Sequence, residues 1–266
     1  MNKKLFLGVC AIASLILVIA FVFFGTHLSS STNNPSLAET VTRSNGGSTM
    51  LLIFSKTTGY RHASIETGIE AIRRLATEHH VEVQATEDAS VFTDENLARY
   101  QAVIFLSTTG NILDGAQKAA FERYIHAGGG FVGIHAASDT EYSWTWYGQL
   151  VGSFFKSHPA ISEATVDVED GQNISTSLLP KKWQRTDEWY NYRENPRTSV
   201  HVLLTLDEST YKGGEMGNDH PIAWYHDFEG GRAWYTGMGH TVESFSEPLF
   251  LSHIWGGISY AAKLNA

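Results

Sequence analysis

Short apolar runs alternate with helix-like stretches through the first half of the folded region. The runs have the length of buried strands and polar residues on both sides; they are Met50–Phe54, Val81–Gln84, Ala102–Leu106 and Phe131–Ile134. Helical spacing of apolar residues predicts helices between them, over Ser64–His79, Asp94–Tyr100 and Asp114–His126. Continuous apolar strands that alternate with helices are typical of a parallel sheet covered on both faces.

The second half of the chain is richer in strand patterns. Apolar or alternating runs predict strands over Ala164–Val168, Val200–Leu206, Ile222–Tyr225 and Arg232–Tyr235, and a closing helix over Phe250–Leu264. We therefore expect an α/β fold with three layers, in which a mostly parallel sheet is flanked by helices. The chain has no internal repeat, so one folded domain is expected over residues 49–266.

A separate segment precedes this domain. Lys3 and Lys4 stand before an apolar run from Leu5 to Phe24, and a run of about 20 residues spans a bilayer as a helix. Residues 1–25 are therefore predicted to form a membrane anchor, and the polar residues 26–48 a flexible linker. The lysines place the domain on the periplasmic or extracellular side. A cleaved signal peptide is the alternative, which would make the protein secreted.

Charge and cysteine content exclude several functions. The formal net charge of −9 argues against nucleic acid as a partner, because phosphate backbones attract clustered Lys and Arg. The single cysteine, Cys10, lies in the N-terminal apolar run, so the folded domain has no thiol for a disulfide, a zinc site or nucleophilic catalysis. The expected partner is a small-molecule carbohydrate, with membrane contact only through the N-terminal segment. Assembly into a homo-oligomer stays open.

Polar loops follow three of the predicted strands. They are Lys56–His62, Ser107–Asn111 and His135–Asp139. In open parallel sheets, ligands bind beyond the carboxyl ends of the strands, which makes these loops the expected site. For Ser107–Asn111 a simple turn is an equal alternative.

The stretch Gly128–Ala137 (GGGFVGIHAA) resembles the nucleophile elbow of class I glutamine amidotransferases. In that family a Gly-rich turn and a strand lead to a catalytic cysteine, and here His135 stands at the cysteine position. Thiol-dependent amidotransfer is therefore excluded. An elbow directs its side chain into the cleft, so we predict a functional role for His135, with a hydrogen-bonded structural histidine as the alternative.

A longer series of motifs resembles the ThuA-like family, named for trehalose utilisation. The series covers residues 49–263 and reads GYRH (59–62), GGGFVGIHAASDTE (128–141), SHP (157–159), DEWYNY (187–192), MGNDHPIAWYH (216–226), GGRAWYTGMGH (230–240) and FLSHIWGGI (250–258). The resemblance implies a flavodoxin-like, class I glutamine amidotransferase-like fold. It also implies carbohydrate metabolism, with a disaccharide, glycoside or 3-keto-sugar as the substrate.

An acidic pair supplies the candidate for proton transfer. Asp187 and Glu188 lie among aromatic residues that could stack on sugars, and partial desolvation by such neighbours can raise a carboxyl pKa enough for general-acid catalysis. Surface pairing with Arg185, Arg193 or Arg197 is the alternative. We predict that four catalytic residues converge on one pocket: His62, His135, Asp187 and Glu188.

Other residues are expected to bind substrate or metal. The substrate-binding candidates are Tyr60, Arg61, Asp139, Trp189, Tyr190 and His240. The sequence demonstrates no cofactor. Because no two histidines have the spacing of a helical zinc motif, a divalent metal such as zinc would need ligands from distant loops, and the candidates are His135, His158 and His220.

Two function classes fit these observations. The first is a hydrolase or lyase that processes a glycoside or keto-sugar by acid–base chemistry, with or without a metal. The second is a non-catalytic sugar-binding module on the same scaffold. Convergence of His62, His135 and an acid in one pocket favours the enzyme, whereas convergence of the aromatic residues alone favours the binding module.

Overall fold

A nine-stranded sheet is the frame of the protein in the computed structural model, which describes residues 49–264. The strands of this sheet are β1 Met50–Phe54, β2 Glu82–Thr86, β3 Ala102–Leu106, β4 Gly130–Ile134, β6 Ser162–Val168, β7 Lys182–Asp187, β9 His201–Asp207, β10 Pro221–Phe228 and β11 Gly231–Thr236. Strands β5 Phe155–Ser157 and β8 Asn191–Tyr192 pair separately. The helices are α1 Ser64–Glu78, α2 Asp94–Leu97, α3 Gly115–His126, α4 Thr145–Val151 and α5 Pro248–Ala262.

The predicted anchor (1–25) and linker (26–48) lie outside the described residues. Within residues 49–264, no helix combines the length and apolar character needed to cross a membrane.

The sheet is mixed, and this corrects the expectation of a mostly parallel one. Its order is β2-β1-β3-β4-β11-β10-β9-β6-β7; the four pairings from β2 to β11 are parallel, and the four from β11 to β7 are antiparallel. The change begins at β10 and β11, which are joined by a tight turn. Only Glu229 and Gly230 separate β10 from β11, and both have positive φ, as a tight hairpin turn requires. A parallel crossover needs a dozen or more residues.

Helices flank the sheet. Phe105 of β3 stacks on Phe121 of α3 and on Tyr147 of α4. The next residue, Leu106, lies against Gly68 of α1, where an added Cβ would come within 3.1 Å of its side chain. Because successive strand side chains point to opposite faces, these contacts are made on opposite sides of β3. The α/β class expected from the sequence is confirmed.

Strand β7 was missed by the sequence pattern. Its residues alternate strictly between exposed and buried, but two of the three buried side chains, Arg185 and Asp187, are charged. An apolar pattern cannot report a strand whose inward side chains form a buried ion pair. This strand nevertheless places the acidic pair.

Candidate active site

The elbow after β4 buries His135 completely. His135 has a φ of +52°, a conformation that few non-glycine residues adopt, and its ring is inaccessible to solvent. Its Nδ1 lies 2.8 Å from the carbonyl oxygen of Gly237 and donates to it. Its Nε2 lies 3.1 Å from Nδ1 of His240 and 3.5 Å from Oε2 of Glu188. The elbow therefore holds one ring nitrogen and turns the other toward the candidate site.

His62 reaches the same point from the loop after β1. Its ring lies edge-on to those of His135 and His240, with centroids 4.8 and 5.1 Å away. Burial, and then the neighbouring His135 and His240, lower the pKa of His62 to about 3, so the ring is neutral near pH 7. Its buried Nδ1 has no hydrogen-bond partner in the described part of the chain. An unpaired buried nitrogen is costly and often marks a ligand position.

The loop after β3 supports His62 without entering the site. The hydroxyl of Thr109 donates to the carbonyl of Tyr60 at 2.9 Å and accepts from the amide of Gly59 at 3.2 Å. The predicted loop Ser107–Asn111 thus fixes the loop that carries His62.

Glu188 binds imidazoles with both of its oxygens. Its Oε2 lies 3.0 Å from His240 Nδ1, and its Oε1 lies 3.0 Å from His158 Nδ1. Burial raises the pKa of Glu188, but hydrogen bonds with His135 and His240 outweigh it and hold the pKa well below its usual range. Burial likewise lowers the pKa of His240, and Glu188 more than reverses this, so the net shift is upward. The idea that desolvation raises the pKa of an acid in this pair therefore fails for Glu188.

Asp187 faces away from the cavity, into the protein. It is fully buried and accepts five hydrogen bonds, from Arg185, the amides of Glu188, Gly239 and His240, and the Ser244 hydroxyl. The alternative of an ion pair with an arginine applies to Asp187, which pairs with Arg185. This pair is buried and not on the surface. The structure thus does not support Asp187 as a catalytic group; it fixes the loops that carry Glu188 and His240.

Four side chains form a cluster that could hold a metal ion: His62, His135, Glu188 and His240. One ligand atom from each lies within 4.8 Å of the others. Imidazole nitrogens with a carboxylate oxygen are a common donor set for zinc. The unpaired Nδ1 of His62 fits such a role.

The other predicted metal ligands lie elsewhere. His158 contacts Glu188 from outside the cluster, and its side chain is 43% exposed. His220 is buried away from the cluster. Its Nδ1 pairs with Glu208 at 2.8 Å, and its Nε2 bonds the carbonyl of Tyr190 at 2.9 Å, which leaves no ring nitrogen for a metal.

A cavity of about 330 Å³ opens in front of the cluster. It is lined by Tyr60, His62, Asp139, Phe155, His158, Glu188, Tyr190 and His240. Asp139 stands at its wall, where its Oδ1 accepts a 2.6 Å hydrogen bond from the Tyr142 hydroxyl. Burial raises the pKa of Asp139; the Tyr142 hydrogen bond and the nearby His135, Arg193 and His158 offset only part of this.

The predicted substrate-binding residues divide into two groups. Tyr60, Asp139, Tyr190 and His240 line the cavity, and Tyr60 is 66% exposed at its edge. Arg61 instead forms surface ion pairs with Glu66 and Glu87, and it does not line this cavity.

Trp189 is the clearest correction among the aromatic residues. It is fully buried, with its indole nitrogen donating to the carbonyl of Ser162, so its ring cannot stack on a sugar. Trp183 and Tyr192 are buried as well. Residues 187–192 are all buried, so the aromatic residues around the acidic pair belong mostly to the core.

Two residues of the cavity region were not predicted. Phe155 lines the cavity and precedes the Ser157–Pro159 motif by two positions, which was the available signal. Tyr142 follows Asp139 by three positions and had no signal of its own. Of the acidic pair, Glu188 converges with His62 and His135 as predicted. Asp187 instead lies in the interior and accepts hydrogen bonds from the loop amides.

Solved structures with a similar fold include two putative ThuA-like proteins. One is from Bacteroides uniformis, at 25% identity and a TM-score of 0.69, with 80% of this chain and 91% of that chain covered. The other is from Parabacteroides merdae, at 18% identity and a TM-score of 0.64, with 81% and 90% covered. A beta-galactosidase from Bacillus circulans sp. alkalophilus shares the fold over 80% of this chain and 31% of its own, at 11% identity and a TM-score of 0.54.

A search of curated protein sequences found no match. The family model ThuA, described as trehalose utilisation, matches residues 50–261. This match covers most of the chain and the whole cluster, and the chain therefore belongs to the ThuA family.

Proposed function

We propose that this protein is an enzyme that processes a glycoside or keto-sugar by acid–base chemistry around a divalent cation. The observation that carries the proposal is the cluster of His62, His135, Glu188 and His240, of which all but the buried His135 line one cavity. Three imidazoles and a carboxylate come together here from four different loops. Packing of the core does not require such a cluster of polar groups.

The cluster has the chemistry of a cation site. A neutral His62 and the Nε2 of His135, whose Nδ1 donates to Gly237, offer lone pairs, and the ionised Glu188 supplies negative charge. When bound, a divalent cation polarises the oxygen atoms that it contacts and lowers the pKa of a bound water molecule. Zinc is the expected ion, because imidazole with a carboxylate is a frequent zinc donor set.

The cavity suits a small polar ligand with a ring. Its volume of about 330 Å³ falls in the range of small-molecule sites. The exposed ring of Tyr60 can stack on a sugar face, and Asp139 can accept hydrogen bonds from hydroxyl groups. The trehalose-utilisation family is the reason to prefer a carbohydrate over other small polar molecules.

A zinc and substrate assay tests this function. Full-length protein, stripped with a chelator and reloaded, is titrated with zinc and incubated with trehalose, other disaccharides and 3-keto-trehalose. We expect zinc binding and cleavage of at least one sugar, both lost in His62→Gln and kept in His201→Gln. His201 is an exposed histidine outside the cluster, which makes this variant the matched control. Sugar binding without turnover, in the zinc-loaded and zinc-free protein alike, would instead favour the sugar-binding module.

We also propose that the domain lies outside the cytoplasm, either tethered or released by residues 1–25. The support is the pair Lys3 and Lys4 before a bilayer-length apolar run. Protease added to spheroplasts should digest the domain. Protection of the domain would contradict this location.

A further inference from the structure

The cavity wall carries two carboxylates, and only one of them is free to exchange a proton. Both oxygens of Glu188 are engaged by imidazoles, at 3.0 Å to His158 and 3.0 Å to His240. Asp139 uses only Oδ1, which accepts from Tyr142. Its Oδ2 has no hydrogen-bond partner among residues 49–264 and is not sealed from solvent. The free carboxyl oxygen of the cavity therefore belongs to Asp139.

Backbone and side-chain hydrogen bonds fix the position of Asp139. It ends the 3₁₀ turn His135–Asp139, which begins at the elbow histidine. Its carbonyl oxygen accepts from the amide of Gly110 at 2.9 Å. Its side-chain partner Tyr142 is fixed in turn, because the same hydroxyl lies 3.2 Å from the carbonyl of Phe155. One short turn thus places a cluster residue at its start and a carboxyl group at its end.

The surroundings of Asp139 raise its pKa above the ordinary value. Burial is the largest influence and raises its pKa, while Tyr142, His135, Arg193 and His158 lower it. Arg193 acts over a distance, since its guanidinium lies over the Tyr142 ring at 4.0 Å from the centroid. The other titratable groups that line the cavity are Glu188, Tyr190, Tyr60, His62 and His240. A carboxyl group with a raised pKa next to bound substrate is typical of a general acid.

We propose that Asp139 is the catalytic acid that protonates the leaving group of a bound glycoside. Its Oδ2 gives a proton to the glycosidic oxygen while the bond from that oxygen to the anomeric carbon breaks. The bonding pair goes to the oxygen, which leaves as an alcohol. A water oxygen bonds to the anomeric carbon, and one water proton returns to Asp139. The products are a free sugar and an alcohol, and the carboxyl group is restored.

This assignment rests on the proposed function and moves the acid from the Asp187–Glu188 pair to the elbow turn. His158 is the rival group, because it lines the same cavity and its side chain is 43% exposed. A test must therefore separate Asp139 from His158, and catalysis from simple structural support.

The experiment compares two leaving groups on full-length, zinc-loaded protein. The substrates are 4-nitrophenyl and methyl α-glucosides and their 3-keto forms. The methyl glycoside needs protonation of its leaving oxygen, whereas nitrophenolate leaves without it. We expect Asp139→Asn to lose about 10²–10⁴-fold in kcat/KM on the methyl glycoside and far less on the nitrophenyl one. A structural defect would slow both substrates equally, and zinc affinity should not change.

Tyr142→Phe supplies a second readout. The Tyr142 hydrogen bond lowers the pKa of Asp139, so its removal raises that pKa further. Activity that needs the protonated acid falls as pH rises through this pKa, and the alkaline limb of the profile should therefore move to higher pH in Tyr142→Phe. A limb that stays in place or moves to lower pH would count against the assignment.

The outcomes separate the two proposals. Active wild type with Asp139→Asn unimpaired on the methyl glycoside overturns the role of Asp139 alone. Selective loss in His158→Gln, with Asp139→Asn unimpaired, assigns the acid to His158 and also overturns it. Wild type inert on every sugar overturns the proposed function and this role together. If Asp139→Asn fails to fold, the pH profile of Tyr142→Phe decides.

Discussion

The parallel and antiparallel halves of the sheet contribute to the site by different means. In the parallel half, His62, His135 and Asp139 follow directly from the carboxyl ends of β1 and β4, where the topology of such sheets gathers loops. In the antiparallel half, Glu188 follows β7 at the far edge of the sheet, eight strands from β2. No topological rule brings this residue to the cluster.

A buried polar network replaces the topological rule in the antiparallel half. Asp187 binds the amides of Glu188, Gly239 and His240. It thereby ties the end of β7 to the loop after β11, the strand that lies beside β4. One side of the site is therefore positioned by backbone topology and the other by a single buried carboxylate. The two sides should respond differently to mutation.

The largest effect is expected from Asp187→Ala. This change removes the 2.9 Å carboxylate partner of Arg185, whose side chain is 2% exposed, and leaves only Glu247 at 3.4 Å; it also releases the loop with His240. Loss of one partner of a buried ion pair costs about 3–5 kcal/mol. Urea unfolding should show this loss, and zinc affinity should fall with it.

The matched control lies on the same strand. Lys182 forms an exposed ion pair with Asp167 at 2.7 Å. Lys182→Ala should change the free energy of unfolding by less than about 1 kcal/mol. Equal effects of the two variants would contradict the network role of Asp187.

A smaller loss is expected from His135→Ala on the parallel side. From the sequence alone, a cost within about 1 kcal/mol is expected for a non-core residue. The structure indicates a larger cost in unfolding free energy, because His135 is fully buried and its ring donates a hydrogen bond to the carbonyl of Gly237. An unsatisfied buried acceptor costs about 1–3 kcal/mol. Urea unfolding measures the change, and a variant as stable as the wild type would show that the elbow needs no imidazole.

A pH effect of about 2 kcal/mol is expected from His253 in α5. Its Nδ1 donates to the carbonyl of Ser175, and burial lowers its pKa to about 3 from an ordinary value of 6.5. In the unfolded chain His253 takes up a proton below pH 6.5, whereas in the folded protein it does so only near about pH 3. Stability is therefore present above pH 6.5 and falls as the pH drops toward 3. Between pH 7 and pH 5 the loss is about 2 kcal/mol.

Unfolding of wild type and His253→Gln at both pH values measures this contribution. The variant should be less stable at pH 7 but should lose less on acidification. Identical acid sensitivity of the two proteins would assign the effect to other groups.

The smallest effect is expected at the rim of the cavity. Tyr60 is 66% exposed, so Tyr60→Ala should leave the unfolding free energy within about 0.5 kcal/mol. Sugar affinity should fall by about 1 kcal/mol, or roughly fivefold, through loss of the ring. Calorimetry with the true sugar measures this, and Tyr60→Phe should retain the affinity. Unchanged affinity in Tyr60→Ala would remove Tyr60 from the site.

The strands of the parallel half are encoded in the local sequence. Met50–Phe54 and Ala102–Leu106 were predicted at the bounds that the structure has, because a strand buried on both faces is apolar at every position. The elbow pattern likewise indicated His135, since it depends on a local turn at the end of a strand. These features are encoded within a few neighbouring residues.

The rest of the site depends on long-range contacts between strands and loops. Asp187 and Glu188 are adjacent, yet Asp187, the last residue of β7, lies in the interior and Glu188, the first residue after the strand, lies at the cavity. His220 and His240 both lie in loops, but only His240 follows the strand that pairs with β4. Local periodicity reports whether a residue is buried, whereas the long-range pairing of strands decides which loop ends meet and therefore which histidines become neighbours.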